Sequence, residues 1–196
     1  MNIQTIIQTF DAVVKKISAF DFIPLLAVRL LIFPAVYVGA RSKVLGFHGT
    51  VAWFSNSPAD GGLGLPFPEV MAFLATSTEV FGCICIALGL CTRLAAIPMI
   101  FMMSVAGLTV HWPHGWASIA TKTMESTYRL TDFMQWLKIY FPGRYNYITE
   151  LGDPVILNNG IEFATTYFVL LLVLFVYGGG RYVSLDYWIK RYFNKR

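Results

Sequence analysis

Residues 67–112 read FPEVMAFLATSTEVFGCICIALGLCTRLAAIPMIFMMSVAGLTVHW. Val70 to Thr92 hold a single charge, Glu79, and Leu94 to Val110 hold none. A helix that crosses a bilayer needs about 20 mostly apolar residues; the first run meets that length and the second approaches it. Gly89 to Arg93 leave room only for a tight turn. The stretch predicts a transmembrane hairpin, and the rest of the chain has to share its membrane.

Composition points the same way. Hydrophobic residues make up 56% of the 196 positions and charged residues 13%, with a mean hydropathy of +0.59, outside the usual soluble balance. The length suits one integral membrane domain of a few helices. The net charge of +4 is modest, and no basic patch interleaved with exposed aromatics stands apart from the membrane-flanking segments, so nucleic acid is not an expected partner. The N-terminus lacks a basic leader ahead of an apolar core and a small-residue cleavage site. Insertion is therefore expected to rest on the first spanning helix.

Before that helix, Ile3, Ile6, Ile7, Phe10, Val13, Val14 and Ile17 recur at helical spacing against Gln4, Gln8, Asp11, Lys15 and Lys16. This is the pattern of an amphipathic helix lying in the membrane surface. The first span is expected over 22–41, interrupted by Arg29, with Pro24 in its first turn and Pro34 inside it. Gly46 to Pro66 read as a loop rich in turn residues. Its Gly61, Gly62 and Gly64 are not a phosphate loop, because Leu-Pro-Phe-Pro follows where a Gly-Lys-Ser/Thr would have to stand. The hairpin supplies spans over 68–91 and 94–111.

Residues 112–159 are too polar to cross and too long for a simple connection. Within them Leu130, Phe133, Met134, Leu137 and Phe141 form a stripe that predicts a second interfacial helix, ended by Pro142-Gly143 and acting as a lid. Asn158 or Asn159 is placed to cap the last span, expected over 160–180 with Glu162 at its mouth. Leu185, Trp188, Ile189, Tyr192 and Phe193 then oppose Lys190, Arg191, Lys195 and Arg196 on a third interfacial helix. The fold class is all-α, a polytopic membrane four-helix bundle with interfacial amphipathic helices.

Four spans return both termini to one side. That side collects Lys15, Lys16, Arg93, Arg181, Lys190, Arg191, Lys195 and Arg196, against Arg41, Lys43, Lys122, Arg129, Lys138 and Arg144 on the other. The positive-inside rule puts the termini in the cytoplasm.

Ionisable side chains inside the hydrocarbon carry the functional signal, because each costs about 2.5–3.5 kcal/mol to insert. Glu69, Ala72, Thr76, Glu79 and Cys83 share one arc of the second span, and Arg29 and Lys43 share a face of the first. With Lys43 and Glu69 at the outer boundary, Glu79 falls roughly 15 Å down and Arg29 roughly 21 Å. Arg29 and Glu79 are thus expected to pair. Lys43, Glu69, His111 and Glu162 all fall where spans open or close, and would line an outer mouth. Such a ring could hydrogen-bond a quinone head group, bind a metal or solvate helix ends. In the alternative metal reading the ligands are His111 and His114, with His48. The cysteines make no C-x-x-C or zinc spacing, and buried structural thiols are expected at Cys83 and Cys85.

The ordered features resemble the DoxX family of small four-helix bacterial membrane proteins. They are Arg29, then Gly39-Ala40-Arg41-Ser42-Lys43, Glu79 with Gly82 and Leu88-Gly89, and Thr92-Arg93-Leu94-Ala95-Ala96. Glu162, Gly178-Gly179-Gly180-Arg181 and Ser184-Leu185-Asp186 complete the set, which covers roughly 22–111 and 160–187. The resemblance implies a protein of the bacterial cytoplasmic membrane. The family name comes from a subunit of a thiosulfate:quinone oxidoreductase, and other members are linked to thiol or oxidative-stress systems. The long 112–159 insertion departs from the short family pattern. The function expected is a quinone-linked redox component, with Glu69, His111 and Glu162 accepting protons and Lys43 or Arg29 stabilising a reduced ring. The alternative is a non-enzymatic module or scaffold that handles metal or a partner. Partners consistent with this are the bilayer, a redox or periplasmic protein, and further copies of the chain.

Overall fold

The structure is a computed structural model that describes residues 3–194; Lys195 and Arg196, counted above among the terminal cations, lie outside the described residues. Nine α-helices run in order among them: α1 Ile3–Ser18, α2 Phe22–Leu45, α3 Phe47–Ser55, α4 Pro68–Leu88, α5 Thr92–Ala106, α6 Glu125–Tyr140, α7 Pro142–Thr149, α8 Glu162–Tyr177 and α9 Leu185–Phe193. No strand forms among the described residues beyond an isolated bridge between Ile119 and Leu157. The all-α expectation holds.

Three helical runs are long and apolar enough to cross a membrane: α2, α4, and the run from Thr92 through a π turn (Gly107–His111) to His114. The fourth expected span is shorter than the sequence suggested. Helix α8 has 16 residues, about 24 Å at 1.5 Å per residue, because Gly178 and Gly180 take positive φ and leave the helix. Proline does not interrupt the spans, since α2 continues through Pro34 and α5 through Pro98.

The chain clusters into two compact units. The first holds residues up to Met103 together with those from Tyr167 onward. Its core takes one stripe from each apolar helix: Ile32 and Val36 from α2, Cys83 and Ile86 from α4, Met99 from α5, Leu171 and Leu174 from α8. Gly82 makes the closest approach in that core, because any Cβ there would strike the Met99 thioether. The outward residues stay apolar, with Leu30, Phe73, Phe101 and Val169 each at least half exposed. A helix surface that is apolar inside and out belongs in lipid. The apolar faces of α1 and α9 are likewise exposed.

Helix α3 is a correction to the loop expected over 46–66. Phe54 is buried and α3 packs on α4, so tertiary burial overrides the poor helix propensity of Gly49, Thr50 and Val51. The glycines that follow serve the fold. A Cβ on Gly62 would collide with the Asn56 backbone.

The second unit spans Ser104–Thr166. Its two ends are zipped together antiparallel: Ala120 N–H donates to Ile156 O, Asn158 and Asn159 N–H to Ser118 O, and Gly160 N–H to Ala117 O. Gly160 has no room for a Cβ against Trp116 and Ala117. The zipper closes a loop that carries α6 and α7, which pack on each other. The predicted stripe does form a helix, in which Leu137 is buried while Phe133 stays half exposed. Pro142 stops α6 but also opens α7, where its missing N–H costs nothing.

Candidate functional site

Two polar clusters lie inside the first unit. The first is built on Arg29, which is 3% exposed. Its guanidinium donates from Nε to Ile86 O at 2.7 Å, from Nη2 to Ala87 O at 2.8 Å, and from Nη1 to Gly179 O at 3.0 Å and Val183 O at 2.9 Å. The last four carbonyls of a helix have no partner within it. At the end of α4 the Cys85 carbonyl takes the N–H groups of Gly89 and Leu90, and Arg29 takes the next two. Its charge also sits at the negative end of the helix dipole.

This corrects the expected Arg29–Glu79 pair. By helical rise the two charges lie about 6 Å apart in depth, so a pair would need the arginine to reach up. It reaches instead to carbonyl oxygens on its own level, which the rigid five-donor fork satisfies better than one carboxylate.

Glycines make the cluster possible. Gly89 has φ +63°, and a Cβ there would lie 2.6 Å from Ser184 Cβ and 2.9 Å from Arg29 Cζ. Beside it, Asp186 accepts from Cys91 N–H at 2.6 Å and Thr92 N–H at 2.9 Å, so a residue of α9 caps α5 from a distance. Asp186 N–H in turn donates to Gly89 O at 3.0 Å. The Thr92 hydroxyl beside this cap is buried without a hydrogen-bond partner.

The second cluster is the ion pair of Lys43 and Glu79. Lys43 Nζ lies 2.8 Å from both carboxylate oxygens, with the lysine side chain 23% exposed and the glutamate 8%. Helical side chains tilt toward the N-terminus, so Lys43 reaches back one turn, past Gly39. A Cβ on Gly39 would stand 3.2 Å from each Glu79 oxygen; the glycine leaves the space that the carboxylate fills. At the same level of α2 and α4, an apolar groove of about 600 Å³ opens between Val44, Phe47, Phe73, Thr76, Val80 and Phe81.

The remaining predicted residues are placed as follows. Glu69 is exposed in the first turn of α4. His111 and Glu162 belong to the second unit and serve its zipper. His111 Nδ1 lies 2.9 Å from Asn159 O, and Glu162 accepts from Ser118 N–H at 3.0 Å. A carbonyl can only accept, so the His111 proton sits on Nδ1. Asn158 gives its side-chain amide to the carbonyls of His114 and Ala117 and does not use it on α8. His48 and His114 are exposed. Among the described residues no three His, Cys, Asp or Glu side chains are close enough to share a metal ion. Cys83 and Cys85 are buried free thiols and Cys91 is exposed.

Spacing alone does not show the roles of Asp186 and Gly179, although their motifs stand out in the sequence. No local signal marks a residue that caps a helix 94 positions away.

Comparison with curated proteins and with solved structures finds no match. Residues 24–112 do match the family model described as DoxX, and that segment, which carries Arg29, the Lys43–Glu79 pair and the hairpin, is similar to the DoxX family.

Proposed function

We propose that the protein is a quinone-linked redox component of the bacterial cytoplasmic membrane, with both termini in the cytoplasm. The observation that carries this reading is the Lys43–Glu79 pair, a cation and a proton acceptor held together within the bundle and level with an aromatic-walled groove open to the lipid side. The groove falls in the usual size range for small-molecule sites, about 300–1,000 Å³. Phe47, Phe73 and Phe81 suit a flat ring, and lipid gives a hydrophobic quinone direct access.

A quinone would supply reversible uptake of electrons and protons. The chain's own residues bind and orient it. Lys43 and Glu79 stand beside the groove lining rather than in it, next in sequence to Val44 and Val80, and from there Lys43 Nζ would donate to a ring oxygen while remaining on the Glu79 carboxylate. Arg29 has no such part, because its donors are committed to backbone carbonyls. The described cysteines are free and Cys83 and Cys85 are buried, so electrons are assigned to a separate redox partner protein.

The cytoplasmic orientation is supported by Arg181, which donates to Asp21 Oδ1 at 2.9 Å and to the carbonyls of Ser18 and Ala19. That contact ties the α1–α2 joint to the α8–α9 joint at one end, together with Lys15, Lys16, Arg93, Lys190 and Arg191. The hydrogen bond to Asp21 raises the Arg181 pKa above its ordinary value, so the clamp stays charged at any physiological pH.

The test is the lipid extract of the purified protein in mild detergent, analysed by mass spectrometry. Quinone should co-purify with the native chain and fall at least tenfold in Lys43→Met. Equal quinone in both, or none in either, overturns the reading and leaves a scaffold or a partner-handling module.

A further inference from the structure

A second groove, of about 930 Å³, opens in the first unit at the roots of α1 and α9, and the proposed function makes no use of it. Three cations line it, Arg93, Arg181 and Lys190, with two acids, Asp21 and Asp186. Both acids are already engaged. Asp21 holds Arg181, and Asp186 accepts the N–H groups of Cys91 and Thr92. Neither Arg93 nor Lys190 has a side-chain partner among the described residues. The groove therefore presents two unmatched positive charges.

Its other wall is apolar: Leu25 of α2, Leu94 of α5, and Val173 and Tyr177 of α8. Arg93 is held over the end of α8, where a Cβ on Gly178 would approach its Nε to 3.4 Å. Unmatched cations beside an apolar wall, framed by two helices whose apolar faces lie in the interface, complement a molecule with an anionic head and a hydrocarbon tail. We infer that this groove binds an anionic phospholipid, with Arg93 and Lys190 contacting its phosphate and Leu25, Leu94 and Val173 its upper acyl chains. Free phosphate would satisfy the cations and leave the apolar wall against water. The bound lipid would pin α1 and α9 to the bundle.

Cys91 lines the same groove and is exposed, whereas Cys83 and Cys85 are buried, so modification of Cys91 reports occupancy. The full chain is placed in nanodiscs of phosphatidylcholine, alone or doped with phosphatidylglycerol, and the rate of reaction with a neutral maleimide is followed. Phosphatidylglycerol should slow the reaction, and inorganic phosphate added to phosphatidylcholine discs should not. Arg93→Gln with Lys190→Gln should remove the protection while leaving the rate in pure phosphatidylcholine unchanged. Each cation is expected to contribute about fivefold to the lipid's apparent affinity. Lys190→Gln alone, at an exposed position, gives the half-effect should the double variant fail to reconstitute. Lys15→Gln with Lys16→Gln, on α1 but outside the groove, should keep the protection. Protection that survives in the Arg93/Lys190 variant, that is lost equally in the Lys15/Lys16 variant, or that inorganic phosphate reproduces overturns the inference.

Discussion

The ammonium of Lys43 lies 2.8 Å from both carboxylate oxygens of Glu79, in the space that Gly39 leaves by having no side chain. Removing either partner leaves a charge in an apolar setting, but the two charges are not equally free to escape it. Lys43 is 23% exposed and can swing its head to the interface. Glu79 is more deeply placed, with its side chain 8% exposed, and its short stem reaches no such escape.

Thermal unfolding in detergent should therefore show that Lys43→Met and Glu79→Gln each cost about 1–3 kcal/mol, below the 3–5 kcal/mol of a fully buried broken pair. The double variant should recover at least half of the summed loss. Strict additivity would mean that the two groups do not interact. Gly39→Ala, which crowds both carboxylate oxygens, should reproduce part of the Glu79→Gln effect.

Arg29→Met should be the more damaging change. It strips four carbonyl oxygens of a charged donor, those of Ile86 and Gly179 in buried bonds, and lost hydrogen bonds to a charged group cost about 1.5–3 kcal/mol each before relaxation. A loss above about 4 kcal/mol, or failure to accumulate folded protein, is expected. Arg29→Lys should recover only part, since an ammonium lacks the planar fork. Combined with Glu79→Gln, Arg29→Lys should be additive, because the two clusters are separate. A coupling above about 1 kcal/mol in that cycle would contradict the described geometry.

Gly89 and Gly115 share a left-handed or otherwise positive φ, +63° and +71°, but only Gly89 is crowded. Gly115, with ψ −153°, lies in a region that only glycine readily adopts, so Gly115→Ala should cost the backbone penalty alone, about 1–3 kcal/mol. Gly89→Ala should cost clearly more, since its Cβ meets Ser184 and the Arg29 guanidinium carbon. Similar melting temperatures for the two variants would show that the Arg29 cluster yields easily.

Topology can be read with the native thiol. In intact cells Cys91 should resist a membrane-impermeant maleimide and react with a permeant one. A cysteine placed at Ser57 in a Cys91→Ser background should react with the impermeant reagent. The reverse pattern would invert the orientation and defeat the charge-count argument.

Much of the fold could be read from periodicity. The hairpin, the buried arc Ala72–Glu79–Cys83, and the amphipathic α1 and α9 follow from spacing alone. Helix α3 could not be read, because its sequence is weakly helical and only its packing on α4 sustains it. The two charged clusters were half legible. Sequence marks Arg29 and Glu79 as buried charges but pairs them with each other, and it leaves Lys43, the true partner of Glu79, at the outer mouth. Depth along a helix does not reveal that a helix end offers an arginine several unpaired carbonyls, nor that Lys43 points back along its own helix toward Gly39. His111 and Glu162 look like mouth residues in sequence, yet they serve an antiparallel zipper between segments some 40 positions apart, which no local pattern announces.

The shortness of α8 bears on the bilayer itself. In the proposed topology its 24 Å of helix must cross a hydrocarbon layer of about 30 Å, so either the neighbouring lipids compress or the Gly178–Gly180 backbone is drawn below the headgroups. Non-helical backbone is tolerated at that depth only where protein satisfies it, and the Arg29 bond to Gly179 O does so. Hydrophobic mismatch then makes acyl-chain length a variable in this protein's stability, with short-chain lipids favoured and thick, saturated bilayers resisted.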